Sequence, residues 1–179
     1  MILTKKSIVE NVKSKKINIY PFDNARVKKN SYTVTLGNRI LCYDSEELDT
    51  SVENSFSEII IPDEGYLLKK NQFYVGHIVE YIGSDYFVPL LHGIPSIAFR
   101  GLFIHITANL IDIGNHCNFS LQIYPTENIV VYPGMEIAQV SFWDTYGAIE
   151  LYRGKYKNVR GPVASKSYKQ INLSEQEDE

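Results

Sequence analysis

The sequence predicts an all-β chain: a sandwich, jelly roll or barrel preceded by one short helix. Two observations carry this reading. Aromatic residues make up 12% of the 179 residues, with 13 Tyr and 8 Phe. Together with many Ile and Val, they favour pleated, half-buried surface over helix. Short apolar runs also recur along the chain, each closed by Gly, Pro, Asn or Asp, which is the punctuation of strands and turns.

The helix comes first. Thr4 is placed to cap it, and Ile8, Val9 and Val12 fall on one face. Lys5, Lys6, Lys13 and Lys15 occupy the other face and read as solvated lysines rather than a nucleic-acid patch. Pro21 ends any helical option. Val34 and Leu36 then precede a Gly37-Asn38 turn, and Ile40 to Tyr43 resumes an extended run. Residues 44–55 are acidic and polar and read as a surface loop. Ile59 to Ile61 runs into a Pro62–Gly65 turn. Further strands are predicted at Tyr66–Leu68, Phe73–Val75, Ile78–Tyr81, Phe103–Thr107, Phe119–Tyr124, Ile129–Tyr132 and Ile137–Phe142. Pro133-Gly134 separates the last two. No internal repeat and no linker interrupt residues 1–170, which read as one domain with a closing segment at 150–170. Residues 171–179 read as a mobile acidic tail.

Composition excludes several classes. The formal net charge is −3, from 18 Lys+Arg against 21 Asp+Glu. That balance argues against a coat for DNA or RNA, so no nucleic-acid partner is expected. The opening residues lack the apolar core of a signal peptide, and no apolar run reaches membrane-spanning length. Cys42 and Cys117 define no disulfide framework. A cytoplasmic, reduced setting is expected.

Chemistry is sparse. No phosphate-binding glycine loop, CxxC or HExxH occurs, so no metal site is expected. His77, His92, His105 and His116 are scattered, and His105 reads by default as a hydrogen-bonded core histidine. His116 and Cys117 are adjacent, so on a strand they face opposite ways. The alternation at 118–124 is more informative. Phe119, Leu121 and Ile123 form a core face. Asn118, Ser120, Gln122 and Tyr124 form a polar face that must meet water, a subunit or a ligand. Arg153 to Gly161 packs four cations into a Gly-flanked segment able to fold over phosphates, or simply to stay solvated.

Six segments together resemble one known family. They are Met1–Thr4 with Ile19-Tyr20-Pro21-Phe22-Asp23, then Asn30–Gly37 (NSYTVTLG), Gly101–Ala108 (GLFIHITA), Asp112-Ile113-Gly114, Tyr132–Gln139 (YPGMEIAQ) and Lys155–Ser165 (KYKNVRGPVAS). In this order and spacing they are similar to the dCTP deaminases and their dUTPase relatives, over nearly the whole chain. The resemblance implies a distorted jelly-roll (β-clip) fold and a homotrimer with nucleotide sites between subunits. It implies a C-terminal tail closing over the triphosphate, and magnesium carried by the phosphates rather than by protein ligands.

The resemblance also assigns residues. Asp112 matches a position meeting the sugar 3′-hydroxyl region, and the backbone of Ala108 one meeting the base edge. Ser96, Arg100, His105, Lys155, Tyr156 and Lys157 are candidate ligand contacts. Departures are concentrated at the chemistry. The family's RSSxxR appears as Ile94-Pro95-Ser96-Ile97-Ala98-Phe99, with Arg100 one residue late. In a strand that shift would turn its side chain to the other face. The family's TLE glutamate, the base that activates water, appears as Gln122, and a C-terminal glutamine as Val159. An amide keeps shape but takes no proton near neutral pH. These losses point to a family member that binds or sequesters a nucleotide or related small molecule without deaminating it, with Pro95 and Phe99 able to fill the pocket. The alternatives are an active dCTP deaminase or dUTP-hydrolysing enzyme with Asp112 as base, and a protein-interaction module on the trimer scaffold.

Overall fold

The computed structural model describes residues 1–105 and 107–169; the acidic tail lies outside the described residues. In chain order the elements are α1 (Lys5–Lys13), β1 (Asn18–Tyr20), a 3-10 turn at Asn24–Arg26, β2 (Tyr32–Thr35), β3 (Arg39–Tyr43), β4 (Phe56–Ile60), β5 (Tyr66–Leu68), β6 (Tyr74–His77), β7 (Tyr81–Gly83) and β8 (Val88–Gly93), followed by α2 (Pro95–Ala98), β9 (Leu102–Ile104), β10 (Ser120–Pro125), β11 (Ile129–Val131) and β12 (Glu136–Trp143). The fold is mainly β, as the sequence predicts.

The principal sheet has strand order β4-β3-β6-β10-β9, and a second has order β2-β12-β8. Two ribbons, β1-β7 and β11-β5, complete the strands. All pairings are antiparallel. The Gly37-Asn38 turn is therefore no hairpin: it carries the chain from the β2 sheet to the β3 sheet. Apolar side chains from both sheets fill one core, with Tyr32, Phe119 and Phe142 among its largest fully buried members. Each such aromatic or branched aliphatic contributes roughly 1.5–3 kcal/mol of burial. Ile8 of α1 is buried against this core, with Val9 and Val12 packed beside it.

Three expectations need correction. Thr4 opens α1, but its hydroxyl lies 3.5 Å from that of Ser7 and caps no amide. The run Ile78–Tyr81 is not one strand: Ile78 makes a single bridge to Leu36, and pairing with β1 begins at Tyr81. Phe103–Thr107 is not one strand either. β9 stops at Ile104, and His105 takes a left-handed φ of 54° that breaks the ladder. β8 is a strand the sequence pattern does not single out, and it carries Pro89. β8 is an edge strand, paired to β12 alone, and an edge tolerates a residue without an N–H.

Candidate active site

A cavity of about 600 Å³ opens along the polar face of β10. The alternation that buries Leu121 and Ile123 turns Ser120 and Gln122 into this space. Ser120 and Gln122 thus line a cavity rather than plain solvent, whereas Tyr124 of the same face lies off it, its hydroxyl donating to Asn71 Oδ1 at 3.4 Å. Asn118, just before the strand, joins them on the wall, and its side-chain amide donates to the carbonyls of Val79 and Glu80 at 2.9 and 3.0 Å. The Ser120 hydroxyl accepts from the Val163 N–H at 3.3 Å.

The stretch between β9 and β10 forms a second wall. His105 leaves β9 with its N–H donating to the Gln122 carbonyl at 2.8 Å. Its Nε2 bonds the Ala108 carbonyl, and its Nδ1 sits 3.4 Å from the Gln122 N–H. Nε2–H donating and Nδ1 accepting is the neutral tautomer. Burial of the ring pushes its pKa below the ordinary imidazole range and so favours that neutral form. His105 is thus a strut between Ala108 and β10, not a core residue.

Asp112 also lines the cavity. Its carbonyl accepts the Asn115 N–H at 3.1 Å, closing a turn over Asp112–Asn115. Gly114 sits in that turn at φ +84° and donates to Ser84 at 2.8 Å. A side chain there would be strained and would press on Leu151, whose Cβ lies 2.8 Å from an added Cβ. This turn therefore holds the carboxylate at the rim and seats the chain that follows β12.

That following chain closes the cavity. The Tyr152 N–H donates to the Ile113 carbonyl at 2.8 Å, and the Asn118 N–H donates to Val159 at 3.1 Å. The Ser165 N–H reaches the Tyr43 hydroxyl at 3.0 Å, and the Ser167 hydroxyl reaches the Thr50 carbonyl at 3.0 Å. Tyr156 lines the space between two cations, with Lys155 and Lys166 ammonium groups 5.5 and 5.7 Å from its ring. The loop at 44–55, expected only as solvated surface, supplies Leu48, Asp49, Thr50 and Asn54 to the cavity lining.

A family model described as dCTP deaminase-like matches residues 2–145. The chain belongs to the dCTP deaminase-like family. A relative from Clostridium acetobutylicum, named dCTP deaminase, dUMP-forming, is 40% identical over 170 residues, covering 94% of this chain and 98% of its own. A protein of the same name from Cytophaga hutchinsonii is 42% identical over 153 residues, covering 84% of this chain and 88% of its own. The solved 2′-deoxycytidine 5′-triphosphate deaminase of Agrobacterium tumefaciens superposes with a TM-score of 0.64 at 18% identity. That match covers 79% of this chain and 47% of the solved one, so the chain spans about half its length. It establishes the fold alone.

These relatives overturn the expectation of a non-deaminating binder. Near-full-length proteins of about 40% identity carry the name of an active enzyme. The physical grounds for the expectation also weaken. The segment 95–98 is a helical turn rather than a strand, so strand alternation does not govern Arg100. Pro95 begins that turn, and Phe99 is 88% exposed and lines no part of the cavity. Within this chain, neither Pro95 nor Phe99 fills the space.

Of the family-matched positions, Asp112, Gln122, His105, Ala108 and Tyr156 converge on this cavity. Ser96 and Arg100 lie exposed in and after α2, off the wall, and Lys155 and Lys157 sit in the closing segment without lining it. A nucleophilic Cys–His pair is excluded. Burial pushes the Cys117 thiol up to about 12, and His116 points instead to Asp85 at 2.9 Å. Among the described residues no three His, Cys, Asp or Glu side chains converge as a metal site.

Proposed function

We propose that this protein is a dUMP-forming dCTP deaminase. It converts dCTP and two waters into dUMP, ammonia and pyrophosphate. The observation that carries the proposal is the 40% identity to a dUMP-forming deaminase across 94% of the chain. The cavity supplies matching chemistry. Water attack at C4 of the pyrimidine requires a proton acceptor. Gln122 orients the water through its amide but takes no proton. The Asp112 carboxylate, on the same cavity, accepts the proton as general base. Neutral His105 keeps Ala108 and β10 in fixed relation.

The second half reaction cleaves a phosphoanhydride and needs positive charge. No Lys or Arg lines the cavity among the described residues. We infer that Lys155, Lys157 and Lys166 of the closing segment meet the phosphates, and that Ser96 and Arg100 come from a neighbouring copy in a homotrimer. Magnesium carried on the phosphates would neutralise their charge during cleavage.

The test is direct. Purified protein is incubated with dCTP and magnesium, and ammonia, dUMP and pyrophosphate are followed. Equal accumulation of the three supports the proposal, and no ammonia release sinks it. Sedimentation checks the trimer.

A further inference from the structure

We infer that Gln122 makes the base subsite selective for a 4-oxo pyrimidine, as in deoxyuridine nucleotides, over the 4-amino base of deoxycytidine nucleotides. The inference deepens the reading above by taking this cavity as the nucleotide site, and it concerns which base the cavity holds best.

The argument starts from the polar face of β10. Its neighbours are already engaged: the Asn118 amide donates to two carbonyls, and the Ser120 hydroxyl accepts from the closing segment. Gln122 differs. Its main chain is held on both sides by His105, through its carbonyl at 2.8 Å and its N–H at 3.4 Å. Its side-chain Oε1 accepts the Thr107 hydroxyl at 3.1 Å. With the oxygen turned to Thr107, the NH2 is left on the cavity side. Among the described residues no acceptor meets this Nε2.

The wall therefore presents an N–H donor where a carboxylate would present only acceptors. An exocyclic 4-amino group is itself a donor, so the two meet donor to donor. A 4-oxo group is an acceptor and completes the pair. A site whose polar group is left unpaired by the wrong ligand discriminates strongly. Within the two-step reaction this favours the deaminated intermediate, which then stays for hydrolysis.

The experiment measures Kd for dUMP and dCMP, which carry no anhydride bond, by calorimetry on the full-length protein. The expected result is dUMP binding at least about tenfold more tightly. Gln122→Glu removes the donor and should shrink or reverse the ratio. Thr107→Val frees the amide to rotate and should shrink it in part, which keeps a readout if the first variant folds poorly. Equal affinity of the native protein for dUMP and dCMP overturns the inference, as does a ratio unchanged in both variants. The outcomes separate from the function proposed above. Conversion of dCTP to dUMP with equal affinities leaves the deaminase standing and removes the selectivity. Tight dUMP selection with no ammonia from dCTP does the reverse.

Discussion

Two polar centres lie on either side of Asn118, and they are built in opposite ways. Glu80 is fully buried, at 0% exposure. Its carboxylate accepts from the Arg26 guanidinium at 2.7 Å, the Thr35 N–H at 3.0 Å and the Thr35 hydroxyl at 2.9 Å. Asp112 is exposed at the cavity, and among the described residues no group donates to its carboxylate. Asn118 bridges the two, donating to the Glu80 carbonyl while lining the cavity. A buried charge must have its lone pairs filled or the fold loses free energy. A working carboxylate must keep them free for water and substrate. The difference in satisfaction, not in residue type, separates a carboxylate held by the framework from one left open on the cavity.

The sharpest way to break this comparison is to neutralise each centre in turn. With Asp112 as the proposed general base, Asp112→Asn should lower the proposed dUMP formation from dCTP by about 10²- to 10⁴-fold. Stability should stay within about 0.5 kcal/mol, since an exposed, unpaired group holds nothing together. Initial rates of ammonia release and a thermal melt check both halves. A full-rate Asp112→Asn protein would remove Asp112 from the mechanism.

Glu80→Ala should act the other way. It strands the Arg26 guanidinium and two Thr35 donors, a loss of roughly 3–5 kcal/mol. Glu80→Gln keeps the shape and some of the bonds and should cost less. Urea unfolding of the two variants measures the difference. Equal, small losses would show that the Glu80 network is dispensable.

The contrast was only half legible in the sequence. Strand alternation revealed the polar face of β10, because period 2 forces Ser120 and Gln122 opposite Leu121 and Ile123. The family motifs located Asp112 and Ala108. The loop at 44–55 was not legible as a wall, because its acidic composition is equally that of open surface. Only long-range contacts, such as Ser167 to Thr50, carry it to the cavity. Glu80 gave no local signal either, since its partners lie 54 and 45 residues away in sequence. Burial of a lone Glu is readable only after the strands are assembled.

A smaller effect comes from the histidines. Burial pushes the pKa of His77, His92 and His105 down. In His77, Nδ1 bonds the Ile78 carbonyl at 2.9 Å, and Nε2 is buried without a partner. The folded values lie below the unfolded value of about 6.5. The unfolded chain therefore binds more protons in the window between them. Stability from this source is full above about pH 6.5 and is lost as pH falls toward the folded values. The urea midpoint should drop between pH 7.5 and pH 5.5. A midpoint flat across that range would contradict the direction of all three shifts.

The smallest expected effect concerns Phe99, and it tests the openness of the site. Had this ring filled the cavity, truncating it would leave a void and cost about 3–5 kcal/mol. At 88% exposure it makes almost no contact within its own chain. Phe99→Ser should therefore move the stability of the isolated chain by no more than about 0.5 kcal/mol. Nucleotide affinity should not rise, because no occupied space is released. Higher affinity in Phe99→Ser would mean that the ring blocks the site, with Phe99 reaching the cavity of a neighbouring copy. Unchanged affinity and unchanged stability together would place the limits on binding in the polar wall, at Gln122 and Asp112, rather than in an apolar plug.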